Sequence, residues 1–282
     1  MSEIKEKKKY KRIVVKIGSS SLTHEEEGGL DFQKMEHLVR CLCDFRNRGM
    51  DVALVSSGAI AVGRGALGLS EKPRDIATRQ ACAAVGQAKL MMTYERLFGE
   101  YNQVVGQVLF TKNTIINPVA RGNTKNTFDE LFRLGVIPIV NENDTVSTYE
   151  MQFGDNDTLS ALVVSLVKAD ELILLSDIDG LYTDDPHDHP DAKLIRVVEK
   201  LDSDIIGMAK DSTGSDLGTG GMSAKLRAAR IATYSGADMV IVNARDVRIL
   251  YDILEGDFTG TLFKARYNPN FCLENYILET LG

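Results

Sequence analysis

The chain has 282 residues, a length that a single large α/β domain can reach. Hydrophobic residues make up 44% of it and charged residues 26%, a globular composition that excludes intrinsic disorder. Lys and Arg number 33 against 40 Asp and Glu, and the net charge of −7 argues against general binding of nucleic acid, which depends on neutralising phosphates.

Predicted strands and helices alternate along the chain. Residues 10–17 are rich in β-branched side chains and stop at Gly18, which predicts a buried strand followed by a turn. Between residues 31 and 48 apolar residues recur at helical spacing, and Gly49 stands where a helix-ending glycine is expected. The further predicted elements are strand 51–56, helix 75–98, strand 104–110, helix 126–134, strand 136–140, helix 157–168, strand 171–175, helix 223–235 and strand 239–242.

This alternation predicts the architecture of the fold. It favours an α/β protein, a three-layer α/β/α sandwich whose mainly parallel central sheet has right-handed crossovers and helices on both faces. Residues 183–216, rich in Pro, Asp and Gly at both ends, are expected to form an excursion from the main body. The sequence shows no clear linker, so we expect one domain over 1–282, with 1–9 as a tail. The basic stretch 5–12 is interpreted as a solvated terminus.

Cysteine usage and hydropathy predict where the protein works. Cys41, Cys43, Cys82 and Cys272 form no C-x-x-C pair and have apolar neighbours in the sequence. They are therefore expected to be small core residues in a reducing compartment, and neither zinc ligands nor a disulfide framework. The charged start lacks a signal-peptide core, and no apolar run reaches membrane-spanning length. We expect a soluble cytoplasmic protein that binds neither nucleic acid nor membrane.

The residues that end the strands are the most informative, because ligands of parallel sheets bind beyond the carboxyl ends of the strands. Lys16 ends the first strand, where a lysine is costly unless its ammonium meets an anion. Gly18 and the serines after it would bring backbone N–H groups close to a phosphate. The alternative is a lysine that reaches solvent beside an ordinary turn, and the motif alone favours neither.

Small and polar residues follow two more strands. Residues 56–58, Ser-Ser-Gly, would let a ligand approach the backbone ahead of a helix, although taken alone the motif favours a serine cap and a glycine that permits packing. Residues 141–144, Asn-Glu-Asn-Asp, follow another strand, and residues 155–157, Asp-Asn-Asp, lead into a helix. One of these last aspartates is expected to cap that helix. The density of carboxylates and carboxamides indicates a small polar ligand that carries an ammonium group.

Two further segments point to a phosphate-bearing ligand. The strand 171–175 is followed by a long polar string that begins with Ser176 and Asp177 and ends at Pro186. Residues 218–225, Gly-Thr-Gly-Gly-Met-Ser-Ala-Lys, open a helix, and a Gly-rich loop at a helix N-terminus suits phosphate. The segment is neither a Walker A motif nor a dinucleotide fingerprint, and a flexible surface loop is the alternative.

Together these segments resemble the amino acid kinase family, over at least residues 14–244. The run 215–236 carries the likeness most specifically, and the string 179–186 is shared widely within the family. The segments that match its glutamate-specific branch are 56–60, 141–144 and 153–157. The resemblance implies phosphorylation of the γ-carboxylate of L-glutamate by ATP, the first step of proline synthesis, in a form without the C-terminal PUA domain of many bacterial members.

The resemblance also implies roles for individual residues. Lys16 and Lys225 are expected to neutralise the transferring phosphoryl group, with Asp157 holding their ammonium groups and Mg²⁺ bridging the ATP phosphates without assigned protein ligands. The residues expected to bind glutamate are Ser57, Gly58, Asp144 and Asn156. The residues expected to bind the nucleotide are Lys16, Gly18, Ser176, Asp177, Thr219, Gly220, Gly221, Met222, Ser223, Ala224 and Lys225.

The family likeness further implies a homo-oligomer, feedback inhibition by proline and delivery of the product to glutamyl-phosphate reductase. Two alternatives stay open: a family member acting on acetylglutamate, aspartate, carbamate or UMP, and a non-catalytic nucleotide sensor. Asp144 argues against an N-acetylated substrate, which has no ammonium for it to meet. The lysine pair with Asp157 argues against a sensor, which needs no balanced charge on both sides of a phosphate.

Overall fold

The computed structural model describes residues 10–24, 29–146, 155–186, 188–208 and 221–280, which contain one sheet with helices on both faces. The strands are β1 Arg12–Ile17, β2 Asp51–Ser56, β3 Val105–Phe110, β4 Ile137–Glu142, β5 Glu171–Ser176, β6 Val197–Val198, β7 Asp238–Asn243 and β8 Thr261–Phe263. The helices are α1 Ser19–Leu22, α2 Phe32–Asn47, α3 Ala59–Ala66, α4 Ile76–Gly99, α5 Lys112–Ile116, α6 Pro118–Arg133, α7 Asn156–Val167, α8 Ser203–Met208, α9 Met222–Tyr234, α10 Ile249–Glu255 and α11 Leu273–Thr280.

The sheet has eight strands in the order β3-β4-β2-β1-β5-β7-β8-β6. All paired strands run parallel except β7 and β8, which are antiparallel. The strands from β3 to β7 therefore end on the same edge of the sheet, and β1 lies among them between β2 and β5. The predicted α/β/α sandwich with a mainly parallel sheet is confirmed.

Helices cover both faces of the sheet, which explains why the middle strands β1, β2, β5 and β7 are mostly apolar. Successive residues of a strand point to opposite faces, so Val14 belongs to one apolar core and Val15 to the other. Helices α6, α7 and α9 contribute to the first core, and helices α2, α4 and α10 to the second. Such doubly covered strands lack the polar alternation of a half-exposed sheet.

Local signals set the helix ends, and one helix is longer than predicted. Asp31 caps α2 by accepting a backbone hydrogen bond, and Gly49 follows that helix with φ +86. The helix predicted over 126–134 begins at Pro118, where the side chain of Asn117 caps it. Proline suits the first turn of a helix because the N–H it lacks has no helical partner there.

The segment 183–216 does not leave the main body entirely. Val197–Val198 forms β6, which pairs in parallel with β8 at the edge of the sheet, and Tyr182 bridges Leu194 ahead of it. A strand of two residues is too short to show a period, so the sequence could not predict it. Residues 187 and 209–216 of this segment lie outside the described residues.

One further expectation is wrong, and another fails at one residue. Cys272 is exposed, whereas Cys41, Cys43 and Cys82 are buried. The apolar neighbours of Cys272 pack inward, but adjacent residues at the start of a helix point in different directions, so the cysteine between them does not. The basic stretch 5–12 is not solvated at its end, because the guanidinium of Arg12 pairs with Asp51 at 2.9 Å. Residues 1–9 lie outside the described residues. None of the helices in the described ranges combines the length and apolar character needed to span a bilayer.

Candidate active site

One buried carboxylate joins two lysines from distant parts of the chain. Lys16 Nζ lies 2.6 Å from Asp157 Oδ1, and Lys225 Nζ lies 3.1 Å from Asp157 Oδ2. Asp157 is 1% exposed, Lys16 9% and Lys225 5%. Lys16 lies near the carboxyl end of β1, while Asp157 and Lys225 lie in the first turns of α7 and α9. Three of the residues singled out from the sequence therefore meet at one point.

This trio carries an excess of positive charge. Burial alone raises the pKa of Asp157, but the charges of Lys16 and Lys225 and their hydrogen bonds outweigh it and hold that pKa below its usual value. The carboxylate is therefore ionised at neutral pH. Two ammonium groups against one carboxylate suit a further anion, such as a phosphoryl group.

A second ion pair joins the same two helices. Asp155 caps α7 through the backbone N–H of Thr158, and its Oδ2 accepts a hydrogen bond from Arg227 of α9 at 3.0 Å. Burial raises the pKa of Asp155, and the Thr158 hydrogen bond offsets this only in part. The anticipated capping aspartate is thus Asp155. The sequence alone did not single out Arg227, because only the fold places residue 227 opposite residue 155.

Glycines precede the helices that begin beside the lysines. Gly18 comes before α1, and a Cβ atom on it would lie 3.4 Å from Lys16 Nζ. Gly221 caps α9, so Met222, Ser223 and Ala224 form its first turn together with Lys225. The first N–H groups of a helix have no partner within it and are available to an anion. Thr219 and Gly220 lie outside the described residues.

A chain of side-chain hydrogen bonds crosses the neighbouring strand ends. Asn156 Nδ2 donates to Ser57 Oγ at 2.6 Å and to Asn141 Oδ1 at 3.0 Å. Asn141 Nδ2 in turn donates to Gln87 Oε1 at 2.9 Å. The chain brings together the turn after β2, the end of β4, the start of α7 and the middle of α4. Gln87 was missed by sequence reasoning, since its helix shows only an Ala-rich pattern.

The turn that carries Ser57 is held in place by the residues on either side of it. Gly58 adopts φ +102, a conformation that favours glycine, and caps α3. Ser56 Oγ lies 2.8 Å from Tyr94 OH, and both residues are fully buried. Tyr94 carries no sequence signal beyond that of a core aromatic residue. These contacts hold the backbone of the Ser-Ser-Gly segment in one position.

Asp144 follows β4, three residues after Asn141, and is half-buried. Burial raises its pKa to about 6, and the charge of Arg79 opposes the rise. In the described part of the chain, no hydrogen bond links Asp144 to Ser57 or Asn156. The structure therefore places Asp144 at the same strand end as the amide chain but outside it.

Ser176 and Asp177 lie one strand away from the lysine pair. Ser176 ends β5, which pairs with β1, and its Oγ donates to Asp177 Oδ1 at 3.0 Å. Asn243, at the end of β7, donates to Asp179 Oδ1 at 2.7 Å and so ties down the turn that follows. Within the described ranges, no hydrogen bond or ion pair joins Ser176 or Asp177 to Lys16.

Comparison with known proteins gives relatives along most of the chain. The family model described as the amino acid kinase family matches residues 11–243. A Clostridium tetani protein named glutamate 5-kinase is 55% identical over 258 residues, 92% of this chain and 96% of that one. A Clostridium acetobutylicum protein of the same name is 52% identical, over 89% of this chain and 94% of its own.

The fold has counterparts among solved structures. The crystal structure of UMP kinase from Ureaplasma parvum matches with a TM-score of 0.63, covering 91% of this chain and all of that one. The sequence identity in this pair is 14%, so the likeness concerns the fold alone.

Proposed function

The chain belongs to the amino acid kinase family, and we propose that it transfers the γ-phosphoryl group of ATP to the γ-carboxylate of L-glutamate. The products are L-glutamyl 5-phosphate and ADP, and the reaction opens proline biosynthesis. The geometric observation that carries the proposal is the joining of Lys16 and Lys225 by the buried carboxylate of Asp157. The relatives named glutamate 5-kinase support the choice of acceptor.

The chemistry asks for charge neutralisation and alignment. A γ-carboxylate is already an anion at neutral pH, so no base is needed to generate the nucleophile. Its oxygen forms a bond to the γ-phosphorus as the bond to the β–γ bridging oxygen breaks, and that electron pair leaves with ADP. In this proposal Lys16 and Lys225 neutralise the migrating group from two sides, and Asp157 fixes their ammonium groups.

Magnesium enters this scheme with the nucleotide. When bound, Mg²⁺ offsets the charge of the ATP phosphates. Among the described residues no three His, Cys, Asp or Glu side chains are arranged to hold a metal ion. Both oxygens of Asp157 face ammonium groups. This cationic centre fits phosphates that carry their own metal, and we assign no protein ligand to it.

The same proposal divides the neighbouring residues between two ligands. Glutamate is assigned to Ser57, Gly58, Asp144 and Asn156, with the carboxylate of Asp144 suited to the α-ammonium. The residues assigned to the nucleotide are Lys16, Gly18, Ser176, Asp177 and residues 219–225. The support for these assignments is the position of the described members at the carboxyl ends of β1, β2, β4 and β5 and at the start of α7 and α9.

Three further parts of the proposal concern partners and rest on the family likeness alone. An acyl phosphate is reactive in water, which favours prompt use by a glutamyl-phosphate reductase. The other two parts are inhibition by proline and assembly into a homo-oligomer.

Hydroxylamine trapping tests the proposed reaction, because hydroxylamine converts an acyl phosphate to a stable hydroxamate. The purified chain is incubated with MgATP and each of L-glutamate, N-acetylglutamate and aspartate, and ADP release is followed in parallel with carbamate and UMP. We expect γ-glutamyl hydroxamate with L-glutamate and at most weak signals with the others. Turnover with another acceptor would indicate a different kinase, and no turnover with any would indicate a nucleotide sensor.

A further inference from the structure

The chain from Gln87 to Ser57 has a defined direction. A carboxamide offers two N–H hydrogens on one side and a carbonyl oxygen on the other. Asn156 uses both Nδ2 hydrogens, one on Ser57 Oγ and one on Asn141 Oδ1. Asn141 then has Nδ2 left, which donates to Gln87 Oε1. All the hydrogen bonds between these amides therefore run the same way: Asn156 donates to Asn141, and Asn141 donates to Gln87.

The direction of these hydrogen bonds decides which polar atoms of Asn156 and Ser57 are left for a ligand. With both hydrogens of Asn156 in use and no other hydrogen bond to its side chain among the described residues, its Oδ1 is left for a ligand and can only accept. Ser57 Oγ accepts from Asn156, so its own hydroxyl hydrogen remains to be donated. The pair thus offers one acceptor and one donor, which match the ammonium and a carboxylate of an amino acid.

Gln87 is the buried end of this chain of amides. It is buried on α4, 9% exposed, and among the described residues its Nε2 has no hydrogen-bond partner. A reversed Gln87 amide would set Nε2 against the Nδ2 of Asn141, donor against donor. In the structure Oε1 faces Asn141, and a buried amide with one bonded side is a costly residue to keep for packing alone.

We infer that Gln87 is a positioning and specificity residue, whose Oε1 fixes the orientation of Asn141 and Asn156 so that Asn156 Oδ1 receives one hydrogen of the substrate α-ammonium, beside the carboxylate proposed for Asp144. This inference rests on the proposed function, since it concerns recognition of the amino acid at the same site. Gln87 itself stays behind the amide chain and touches no reacting atom.

The test compares Gln87→Met with Gln87→Glu. Methionine keeps the length of the side chain but removes the acceptor, whereas glutamate keeps an oxygen for Asn141 in either protonation state. Hydroxamate formation is measured with L-glutamate and with glutarate, which has the same carboxylates but no ammonium. Gln107→Met, on an exposed position of β3, is the control for the substitution itself.

Gln87→Met is expected to raise the KM for glutamate about tenfold and to leave the KM for ATP unchanged. It should also lower the preference for glutamate over glutarate by about tenfold. Without the acceptor at position 87, the amides of Asn141 and Asn156 can turn, and an N–H group of Asn156 can then face the ammonium. Gln87→Glu and Gln107→Met are expected to keep the wild-type preference. If Gln87→Met does not fold, Gln87→Ala takes its place, since a water entering the gap can turn either way and fixes no direction.

The outcomes separate this inference from the proposed function. Wild-type turnover of glutamate with an unchanged preference in the Met or Ala variant overturns the role of Gln87 alone. Equal changes in the KM for both substrates, with no change in preference, would show a purely structural role and overturn it as well. Absence of glutamate turnover in the wild type overturns the proposed function and, with it, this inference.

Discussion

A Cβ atom on Gly18 would lie 3.4 Å from the ammonium nitrogen of Lys16. That distance is an ordinary van der Waals contact, so the folded chain itself would accommodate a methyl group. The backbone of Gly18, at φ −80, is also open to any residue. The glycine is therefore needed neither for the turn nor for packing, and the space beside the ammonium is what it keeps clear.

Gly18→Ala is expected to leave thermal stability close to the wild type and to impair turnover. A methyl group beside Lys16 displaces the approaching phosphate, and a misplacement of about 1 Å costs up to roughly 100-fold in rate. The measurements are thermal unfolding and kcat/KM for ATP. Unchanged kcat/KM would show that no ligand approaches the backbone at this position.

Asp157→Asn is expected to destabilise the fold in a pH-dependent way. Because the folded-state pKa of Asp157 is lowered from 3.8, its stabilisation is present above that value and is lost as pH falls through the folded pKa. Breaking a buried ion pair costs about 3–5 kcal/mol. Urea unfolding should show this loss at neutral pH and a shrinking difference in acid below pH 3.8.

A difference in unfolding free energy that stays constant far into acid would contradict this account of Asp157. It would mean that the destabilisation comes from altered packing and not from the lost charge.

Protonation of Asp144 should lower kcat/KM for glutamate at acid pH. The pKa of Asp144 is raised to about 6, so protonation below that pH removes the negative charge proposed to meet the α-ammonium. We expect kcat/KM for glutamate to fall as pH drops through this value. Asp144→Asn should raise the KM for glutamate by roughly 10- to 100-fold, since a hydrogen bond to a charged group is worth about 1.5–3 kcal/mol.

The same Asp144→Asn variant is the control for the titration, because it has no carboxyl group to protonate. The fall near pH 6 should be absent from its profile. If the variant keeps that fall, another group titrates there and Asp144 is not the residue that meets the ammonium.

Helices α3 and α4 cross so closely that glycine is required at the contact. A Cβ atom on Gly63 would come within 1.8 Å of the Cys82 carbonyl oxygen, and one on Gly86 within 1.7 Å of the Ala59 carbonyl oxygen. We expect Gly63→Ala and Gly86→Ala to destabilise the fold by about 1–3 kcal/mol or more in urea unfolding. Because α3 starts at the proposed glutamate site, the KM for glutamate should rise too.

Gly122 is the matched control for these substitutions. It lies in helix α6, and a Cβ atom there would meet nothing within 4 Å. Gly122→Ala should stabilise the fold by about 0.5–1 kcal/mol through helix propensity. Destabilisation by Gly122→Ala, or tolerance of alanine at both crossing positions, would contradict the steric argument.

Much of the fold could be predicted because its signals are local. The β-branched run of β1, the spacing of apolar residues in α2 and the glycine after it each depend on near neighbours in the chain. The two-residue strand β6 and the antiparallel β8 have no such signal, since they form only by pairing with the sheet edge. Tertiary context decided those elements.

Some residues of the candidate site could likewise be predicted from the sequence, and others could not. Lys16 stands out in the sequence because a charge at the end of an apolar strand is unusual, and the role of Asp157 is implied by the family resemblance of its motif. Gln87 and Arg227 do not stand out, since a polar residue on a helix is ordinary until the fold shows what faces it. Their partners, Asn141 and Asp155, lie 54 and 72 residues away in the chain.

The most direct test of the account is the kcat of Lys225→Ala in glutamate-dependent hydroxamate formation, with Lys89→Ala, on an exposed position of α4, as control. If the ammonium groups of Lys225 and Lys16 converge on one phosphoryl group, Lys225→Ala should lose on the order of 100-fold or more in kcat, and Lys89→Ala should match the wild type. Wild-type turnover in Lys225→Ala would contradict the shared role of the two lysines.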